Sequence, residues 1–260
     1  MKPTFLNQAR PFVTGMVLKS TPDEVRYAVK NSVYEGADAL GIQLCRLKKQ
    51  DKTEENFKKM FAAAGQKPIY VTNYRYCENT GRSDEECMEE LIAALACGAT
   101  LADIMGDTFA PAPMELTTDS AAIERQVRLI DRIHAMGKEV LMSSHILQFT
   151  PAEQVLQVAL EHEKRGADIA KIVTAGNSDE EEMENLRITR LLQKELRIPF
   201  LFLSGGTHSK IHRGIGPMLG CFTYLCVWRH DETSVPTQPT IRAAKQIRDS
   251  FDYLPDIIDG

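Results

Sequence analysis

A lysine in an otherwise apolar stretch is the residue of this sequence that most clearly calls for a chemical explanation. Residues 161–176, EHEKRGADIAKIVTAG, begin as the charged end of a helix, break at Gly166 and continue as a predicted strand containing Lys171. Moving a lysine out of water costs several kcal/mol unless the amine is paired or loses its proton. A desolvated lysine beside other cations becomes a nucleophile toward a ketone. The alternative is a lysine whose stem is buried and whose ammonium reaches water.

A histidine ends the strand predicted before this lysine. His145 closes the apolar run EVLMSSH, and adjacent strands of a sheet lie about 5 Å apart. An imidazole within reach of a lysine imine could move a proton at the adjacent carbon. Lys171 and His145 together therefore predict the outline of a Schiff-base enzyme, although neither residue alone would indicate one.

Eight short apolar runs predict the strands that would position these residues. They alternate with helical segments at an even pitch and read FVTGMVL, ADALGIQL, PIYVTNY, TLADIMG, EVLMSSH, ADIAKIV, PFLFLSG and CFTYLCVW. Such alternation is typical of parallel strands, and no segment rich in Pro, Gly or Ser divides the chain. We predict one α/β domain over residues 1–260, a single (β/α)8 TIM barrel, with an open doubly wound sheet as the alternative.

The helix boundaries carry their own signals. A Ser or Thr followed three residues later by Glu predicts a capping box at Thr21, Ser83, Thr150 and Ser178. Glycine in a left-handed conformation is expected to close the helices at Gly36, Gly98, Gly137 and Gly166. The longest irregular piece, residues 106–120, follows the fourth strand, where a barrel places its functional loops.

Composition argues against several classes of protein. The net charge of −5 and the lack of a basic run argue against a nucleic-acid surface. No apolar stretch has the length of a membrane span or of a signal peptide, so we expect a cytoplasmic protein without membrane contact. The six cysteines are scattered without zinc-ligand spacing, so neither a metal site nor a disulfide framework is expected. The chain also has no Gly-rich phosphate loop of the kind that binds nucleotides.

In a TIM barrel the chemistry lies at the C-terminal ends of the strands. The polar residues predicted at that end are Gln43, Arg75, His145, Lys171, Ser204, Arg213, Ser234 and Gln238.

The order of these segments resembles the type I 3-dehydroquinate dehydratase family. VLMSSHILQFTP is similar to the family's strand with the catalytic histidine, which gives that role to His145, and GADIAKIV is similar to its imine-forming lysine strand, at Lys171. YVTNYR resembles the third-strand segment ending in a substrate-binding arginine, here Arg75. The loop SGGTHSKIHRGIGPMLGC is similar to the one whose arginine binds the substrate carboxylate, here Arg213.

The resemblance continues to the last strand and implies an activity. SVPTQ looks like the family's Ser-x-Pro-x-Gln lid over the substrate, which assigns substrate binding to Ser234 and Gln238. The resemblance implies dehydration of 3-dehydroquinate to 3-dehydroshikimate through a lysine imine, with histidine as general acid and base. It also implies a homodimer that acts on a small keto acid and needs no metal or organic cofactor.

Other positions depart from the family's pattern. Where the family has Glu-x-Arg-x-Asp on its second strand, residues 41–45 read GIQLC, so Gln43 is the polar residue left to contact substrate. The fourth strand ends in Asp103-Ile104-Met105 in place of Asp-x-Glu, and Glu78 is the best match to the glutamate that follows the third-strand arginine. Two other readings stay open: a Schiff-base lyase or class I aldolase-like enzyme acting on a less hydroxylated keto acid, and a non-catalytic relative that senses a ligand.

Overall fold

Each of the eight predicted runs forms a β-strand. The computed structural model describes residues 3–6 and 8–251, and its strands are β1 (Phe12–Val17), β2 (Ala39–Gln43), β3 (Ile69–Thr72), β4 (Leu101–Met105), β5 (Glu139–His145), β6 (Ile169–Ala175), β7 (Phe200–Gly205) and β8 (Thr223–Cys226). The helices that alternate with them are α1 (Pro22–Tyr34), α2 (Glu54–Ala62), α3 (Asp84–Ala96), α4 (Ser120–Ala135), α5 (Ala152–Lys164), α6 (Asp179–Glu195), α7 (Lys210–Ile215) and α8 (Ile241–Ser250).

The strands pair in parallel in the order β7-β6-β5-β4-β3-β2-β1-β8, which confirms the (β/α)8 TIM barrel and rules out the doubly wound sheet. Between β7 and β8 the described residues form no ladder, and a hydrogen bond from the Phe222 N–H to the Phe200 carbonyl (3.0 Å) links the segments entering these strands. The barrel is therefore nearly closed, with a seam between its seventh and eighth strands.

Burial explains why the strands read as continuous apolar runs. All residues of β3, β4 and β8 are buried, because helices cover one face of a barrel strand and the opposite strands cover the other. No helix in the described part of the chain is long and apolar enough to cross a bilayer.

Most of the predicted helix boundaries are confirmed. Thr21, Ser83 and Ser178 accept a hydrogen bond from the backbone N–H three residues later, and all four predicted glycines have positive φ, from 65° at Gly137 to 122° at Gly98. The capping box at Thr150 was wrong. The N-cap position of α5 is Pro151, one residue later than predicted, and no side chain caps the helix there, while the Thr150 hydroxyl donates to the Gln148 carbonyl at 3.1 Å.

Candidate active site

Lys171 lies inside the barrel. It belongs to β6, yet its Nζ contacts Tyr70 on β3 and Asp103 on β4, and strands that are not neighbours can meet in this way only across the barrel interior. Lys171 pairs in register with Ser143 of β5, two residues before His145, so the predicted neighbourhood of the lysine and the histidine is present. The Lys171 residue is 4% exposed, which excludes an ammonium that reaches water.

The Lys171 ammonium is paired rather than solvated. Its Nζ lies 2.6 Å from the Tyr74 hydroxyl, 3.2 Å from the Tyr70 hydroxyl and 3.1 Å from Asp103 Oδ2. An ammonium has three N–H donors, and these three acceptors can satisfy all of them. The pairing accounts for a lysine in the middle of a buried strand.

Asp103 is the counter-ion at the centre of this group, which we call the lysine cluster: Tyr70, Tyr74, Asp103, Ser143 and Lys171. Its carboxylate also accepts hydrogen bonds from the Tyr70 hydroxyl, the Tyr74 hydroxyl (2.6 Å) and the Ser143 hydroxyl (2.5 Å). Burial would raise the pKa of Asp103, but the charges of Lys171 and His145 and these hydrogen bonds hold the pKa below its usual range. The cluster is therefore an ion pair whose buried carboxylate is fully hydrogen-bonded.

Reasoning from the sequence missed both tyrosines of the lysine cluster. Burial, and then the charge of Asp103, raise the pKa of Tyr70 and of Tyr74 well above the usual value, so both phenols stay protonated at neutral pH. Residues four apart along extended chain point to the same side, and that spacing was the available signal. Tyr74 follows β3 and reaches Lys171 from the mouth of the barrel.

His145 is held by a glutamate from the loop after β4. Glu115 Oε2 lies 2.7 Å from His145 Nδ1 and also accepts the backbone N–H of His145 at 2.7 Å. Because a carboxylate can only accept, Nδ1 carries a proton, and Nε2 of a neutral ring is left as the base. Glu78, the match suggested by the resemblance, is exposed. Glu115 lies in the irregular segment 106–120, but nothing in the sequence pairs it with His145.

The backbone fixes Glu115 in place. Met114 and Glu115 have φ of 60° and 49°, a left-handed conformation that costs energy in residues with a side chain. The Ser144 hydroxyl donates to the Glu115 carbonyl at 2.9 Å, and that carbonyl lies 2.7 Å from where a Cβ on Gly106 would be. Glycine at position 106 therefore permits the close approach of the loop that carries Glu115.

Arg75 follows the end of β3 as expected, but its guanidinium is paired with two aspartates and is not among the partners of Lys171. It forms ion pairs with Asp84 (2.7 Å) and Asp107 (2.6 Å), which tie α3 to the loop after β4. Both residues follow β3, and Tyr74 rather than Arg75 contacts Lys171. Its role in substrate binding stays a prediction, and a substrate carboxylate would have to compete with both aspartates.

Arg213, in contrast to Arg75, has no carboxylate partner in the described part of the chain. It lies on α7 beside the seam, where its Nε donates to the Ser204 carbonyl at 2.6 Å, and its buried Nη1 has no partner among the described residues. No carboxylate of the described chain forms an ion pair with it, and burial lowers the pKa of its guanidinium to about 10. An arginine whose buried Nη1 has no partner and which lacks a counter-ion is suited to binding an anion.

The remaining predicted residues differ in how many of their hydrogen-bonding groups already have a partner. Gln43 and Gln238 each have a buried side-chain oxygen without a partner in the described chain. The Ser234 hydroxyl accepts from the Asp231 N–H at 2.9 Å and lies 3.2 Å from the Asp231 carboxylate, which is itself paired with Lys19 at 2.6 Å. The two amides therefore have unused hydrogen-bonding capacity, whereas Ser234 already has a partner.

Apolar and aromatic groups occupy the wall of the barrel beside Gly41. A Cβ on Gly41 would lie 2.3 Å from Met16 Sδ and 3.2 Å from Tyr70 Cδ1, so the space of a longer side chain is already filled. At the C-terminal ends of β2, β3 and β4, a small buried cluster is formed by Cys45, Tyr74 and Met105. This part of the site offers few hydrogen bonds to a polyol.

Comparisons with known proteins agree with the fold. The family model described as Type I 3-dehydroquinase matches residues 16–254. A 3-dehydroquinate dehydratase of Methanosarcina barkeri is 27% identical over 238 residues, covering 90% of this chain and 92% of the relative. One from Alkaliphilus oremlandii is 31% identical over 136 residues, 52% of this chain, so the chain spans about half (51%) of that relative's length. The crystal structure of the Geobacillus kaustophilus enzyme shares the fold, with a TM-score of 0.80 at 18% identity, covering 94% of this chain and 93% of that one.

Proposed function

The chain belongs to the type I 3-dehydroquinase family, and from that membership we propose that it is a carbon–oxygen lyase that forms an imine on Lys171. The observation that carries the proposal is the position of this lysine, which is buried inside the barrel, ion-paired with Asp103 and one strand away from His145. A buried charged pair at the centre of a barrel is costly to maintain, and stability gives little reason for it.

The proposed reaction divides the work between two strands. Lys171 attacks the ketone and forms a protonated imine, which withdraws electrons from the adjacent carbon. His145 removes a proton from that carbon and, as imidazolium, protonates the departing hydroxyl. Glu115 holds the ring in the required tautomer and stabilises the imidazolium, because its carboxylate accepts from Nδ1.

Family membership supports 3-dehydroquinate as the substrate and 3-dehydroshikimate as the product. The filled space beside Gly41 and the nearby Met105 favour a second candidate, a lyase or aldolase-like enzyme acting on a less hydroxylated keto acid. The homodimer and the cytoplasmic location implied at the outset stay predictions.

Purified protein incubated with 3-dehydroquinate separates these possibilities. Turnover followed by product absorbance supports the dehydratase. Absence of turnover, with Lys171 still trapped by borohydride in the presence of a keto acid, supports the second candidate. Absence of both would contradict the lyase and favour the ligand-sensing relative.

Arg213, which we expect to bind the substrate carboxylate, gives a first prediction for mutagenesis. We expect an Arg213→Met substitution to raise KM for the keto acid by about 10-fold to 10²-fold, because a charged hydrogen bond contributes about 1.5–3 kcal/mol. Arg213→Lys, which keeps the charge but loses the planar fork, should recover part of the affinity. Steady-state kinetics measure both. In crystals soaked with sulfate, density for the anion is expected at the Arg213 guanidinium, and a KM unchanged in Arg213→Met would contradict the assignment.

The occupied space beside Gly41 gives a prediction about which substrate the enzyme accepts. Gly41→Glu with Gln43→Arg restores the family's charges, but the new glutamate meets Met16, so Met16→Ala is added to make room. If the native substrate is the less hydroxylated keto acid, kcat/KM for 3-dehydroquinate should rise by about 10-fold or more over Met16→Ala alone, because charged hydrogen bonds to its hydroxyls are gained. A parent that is already fully active, and is harmed by the change, would show that the pocket binds 3-dehydroquinate by another route.

A further inference from the structure

Imine formation requires proton transfers at the Lys171 nitrogen, and this inference rests on the proposed function. Lys171 is an ammonium in the resting ion pair and must lose a proton before it can attack. The carbinolamine must then receive a proton on its oxygen before water can leave. Among the described residues, the polar side chains that contact Nζ are Tyr70, Tyr74 and Asp103. The groups that carry these protons should be found among them.

The two tyrosines differ in the direction from which they reach the amine. The Tyr70 ring packs edge-on against Phe5 at 6.5 Å, and Phe5 packs on Phe12 and Phe222, which lie where β1 and β8 begin. Tyr70 therefore faces the bottom of the barrel, away from the end where a barrel binds its substrate.

Tyr74 faces the mouth. Its ring packs edge-on against the His145 ring at 4.9 Å and stacks on Tyr76 at 5.5 Å, and His145 is the last residue of β5. Its hydroxyl, 2.6 Å from Nζ, is the closer of the two. A carbonyl that enters from the mouth would meet Lys171 beside this hydroxyl.

We propose that Tyr74 is a catalytic acid–base group of imine formation and that Asp103 is the reservoir of its proton. Both hydroxyls donate to Asp103 Oδ2, so a proton placed on that carboxylate can pass to Tyr74 along an existing hydrogen bond. A phenol that stays protonated at neutral pH can donate to an alkoxide and be restored at once.

The protons and electrons balance over the sequence. The Lys171 ammonium passes one proton to Asp103, an uphill transfer because the ion pair holds the pKa of Asp103 low, and the freed lone pair forms the C–N bond while the carbonyl π electrons move to oxygen. Tyr74 protonates that oxygen and takes back the proton that the nitrogen then loses. The Asp103 proton, relayed through Tyr74, leaves with the carbinolamine hydroxyl as water, and the nitrogen lone pair forms the C=N bond. Ketone and ammonium become protonated imine and water, with Asp103 and Tyr74 restored.

The test compares two substitutions that remove the same kind of hydroxyl. Wild type, Tyr74→Phe and Tyr70→Phe are mixed with 3-dehydroquinate, or with pyruvate as a minimal keto acid, and quenched with borohydride at set times. The mass added to the peptide containing residues 166–176 gives the labelling rate. Tyr70→Phe is the matched control, because both hydroxyls contact the same Nζ and the same Oδ2.

We expect Tyr74→Phe to slow labelling by about 10²-fold, the lower range for a positioned acid–base group, and Tyr70→Phe to change it by no more than a few-fold. Equal losses in both variants, or a wild-type rate in Tyr74→Phe, would overturn the inference while leaving the lyase in place. A wild-type protein that is labelled by neither probe would overturn the proposed function itself.

A second replacement keeps the test valid if Tyr74→Phe fails to fold. Incorporating 3,5-difluorotyrosine in place of Tyr74 preserves the ring and the hydroxyl but makes the phenol more acidic. If Tyr74 donates the proton, the pH at which labelling declines on the alkaline side should move to lower values. An unchanged pH profile of labelling would assign Tyr74 a structural role and overturn the inference.

Discussion

Replacing Lys171 by alanine should abolish both borohydride labelling and turnover. Loss of a covalent nucleophile removes the route through the intermediate, and such losses reach roughly 10⁶-fold in kcat. In the wild type, incubation with the keto acid and borohydride should add the mass of the reduced adduct to the peptide containing residues 166–176. Mass spectrometry of the digested protein and an absorbance assay measure the two effects.

The obvious substitution has a structural cost that needs its own control. Lys171→Ala leaves the buried Asp103 carboxylate without its counter-ion, which destabilises a protein by about 3–5 kcal/mol. Lys171→Met combined with Asp103→Asn removes both charges and should fold better while remaining inactive.

Lys52 offers a matched comparison, because its side chain is fully buried and ion-paired with Glu90 at 2.9 Å. Lys52→Met should lower the unfolding temperature yet keep the label on Lys171. An adduct on Lys138 or Lys210 with Lys171 untouched would assign Lys171 to the structure alone.

His145→Ala should separate imine formation from proton removal. The adduct on Lys171 should still form, while turnover falls by roughly 10²–10⁴-fold, the usual contribution of a positioned acid–base group. The two steps are measured by borohydride labelling and by the deuterium isotope effect on turnover with substrate labelled at the carbon beside the ketone. The isotope effect should increase in His145→Ala, because proton removal becomes the slowest step.

Glu115→Gln tests the support of this histidine. A glutamine oxygen can still accept from Nδ1, but it carries no charge to stabilise the imidazolium, so the loss should be smaller than that of His145→Ala. His134→Ala is a suitable control. His134 lies on the outer helix α4 and also pairs with a carboxylate, that of Asp168, at 2.9 Å. Activity unchanged in Glu115→Gln would show that the glutamate only fixes the loop.

The local pattern of the sequence determined the elements of this protein. The eight strands follow from short apolar runs between helical segments, and the helix ends follow from glycines at positions with positive φ. These features could be predicted because each depends on residues close together in the chain. The burial of Lys171 could also be predicted, since an apolar run of parallel strand is covered on both faces. The capping box at Thr150 failed because α5 begins one residue later, with Pro151 at its N-cap position.

The tertiary structure alone decided which side chains meet. Glu115 and His145 are thirty residues apart in sequence, and Tyr70, Asp103 and Lys171 come from three different strands. Tyr74 and Arg75 are adjacent in the chain, yet one contacts the lysine and the other forms ion pairs with Asp84 and Asp107. Side-chain direction reverses with every residue of an extended strand, so a shift of a single position exchanges inside for outside. Residue type and spacing identify a strand, but the register of its neighbours and the path of its loops determine which side chains line the barrel.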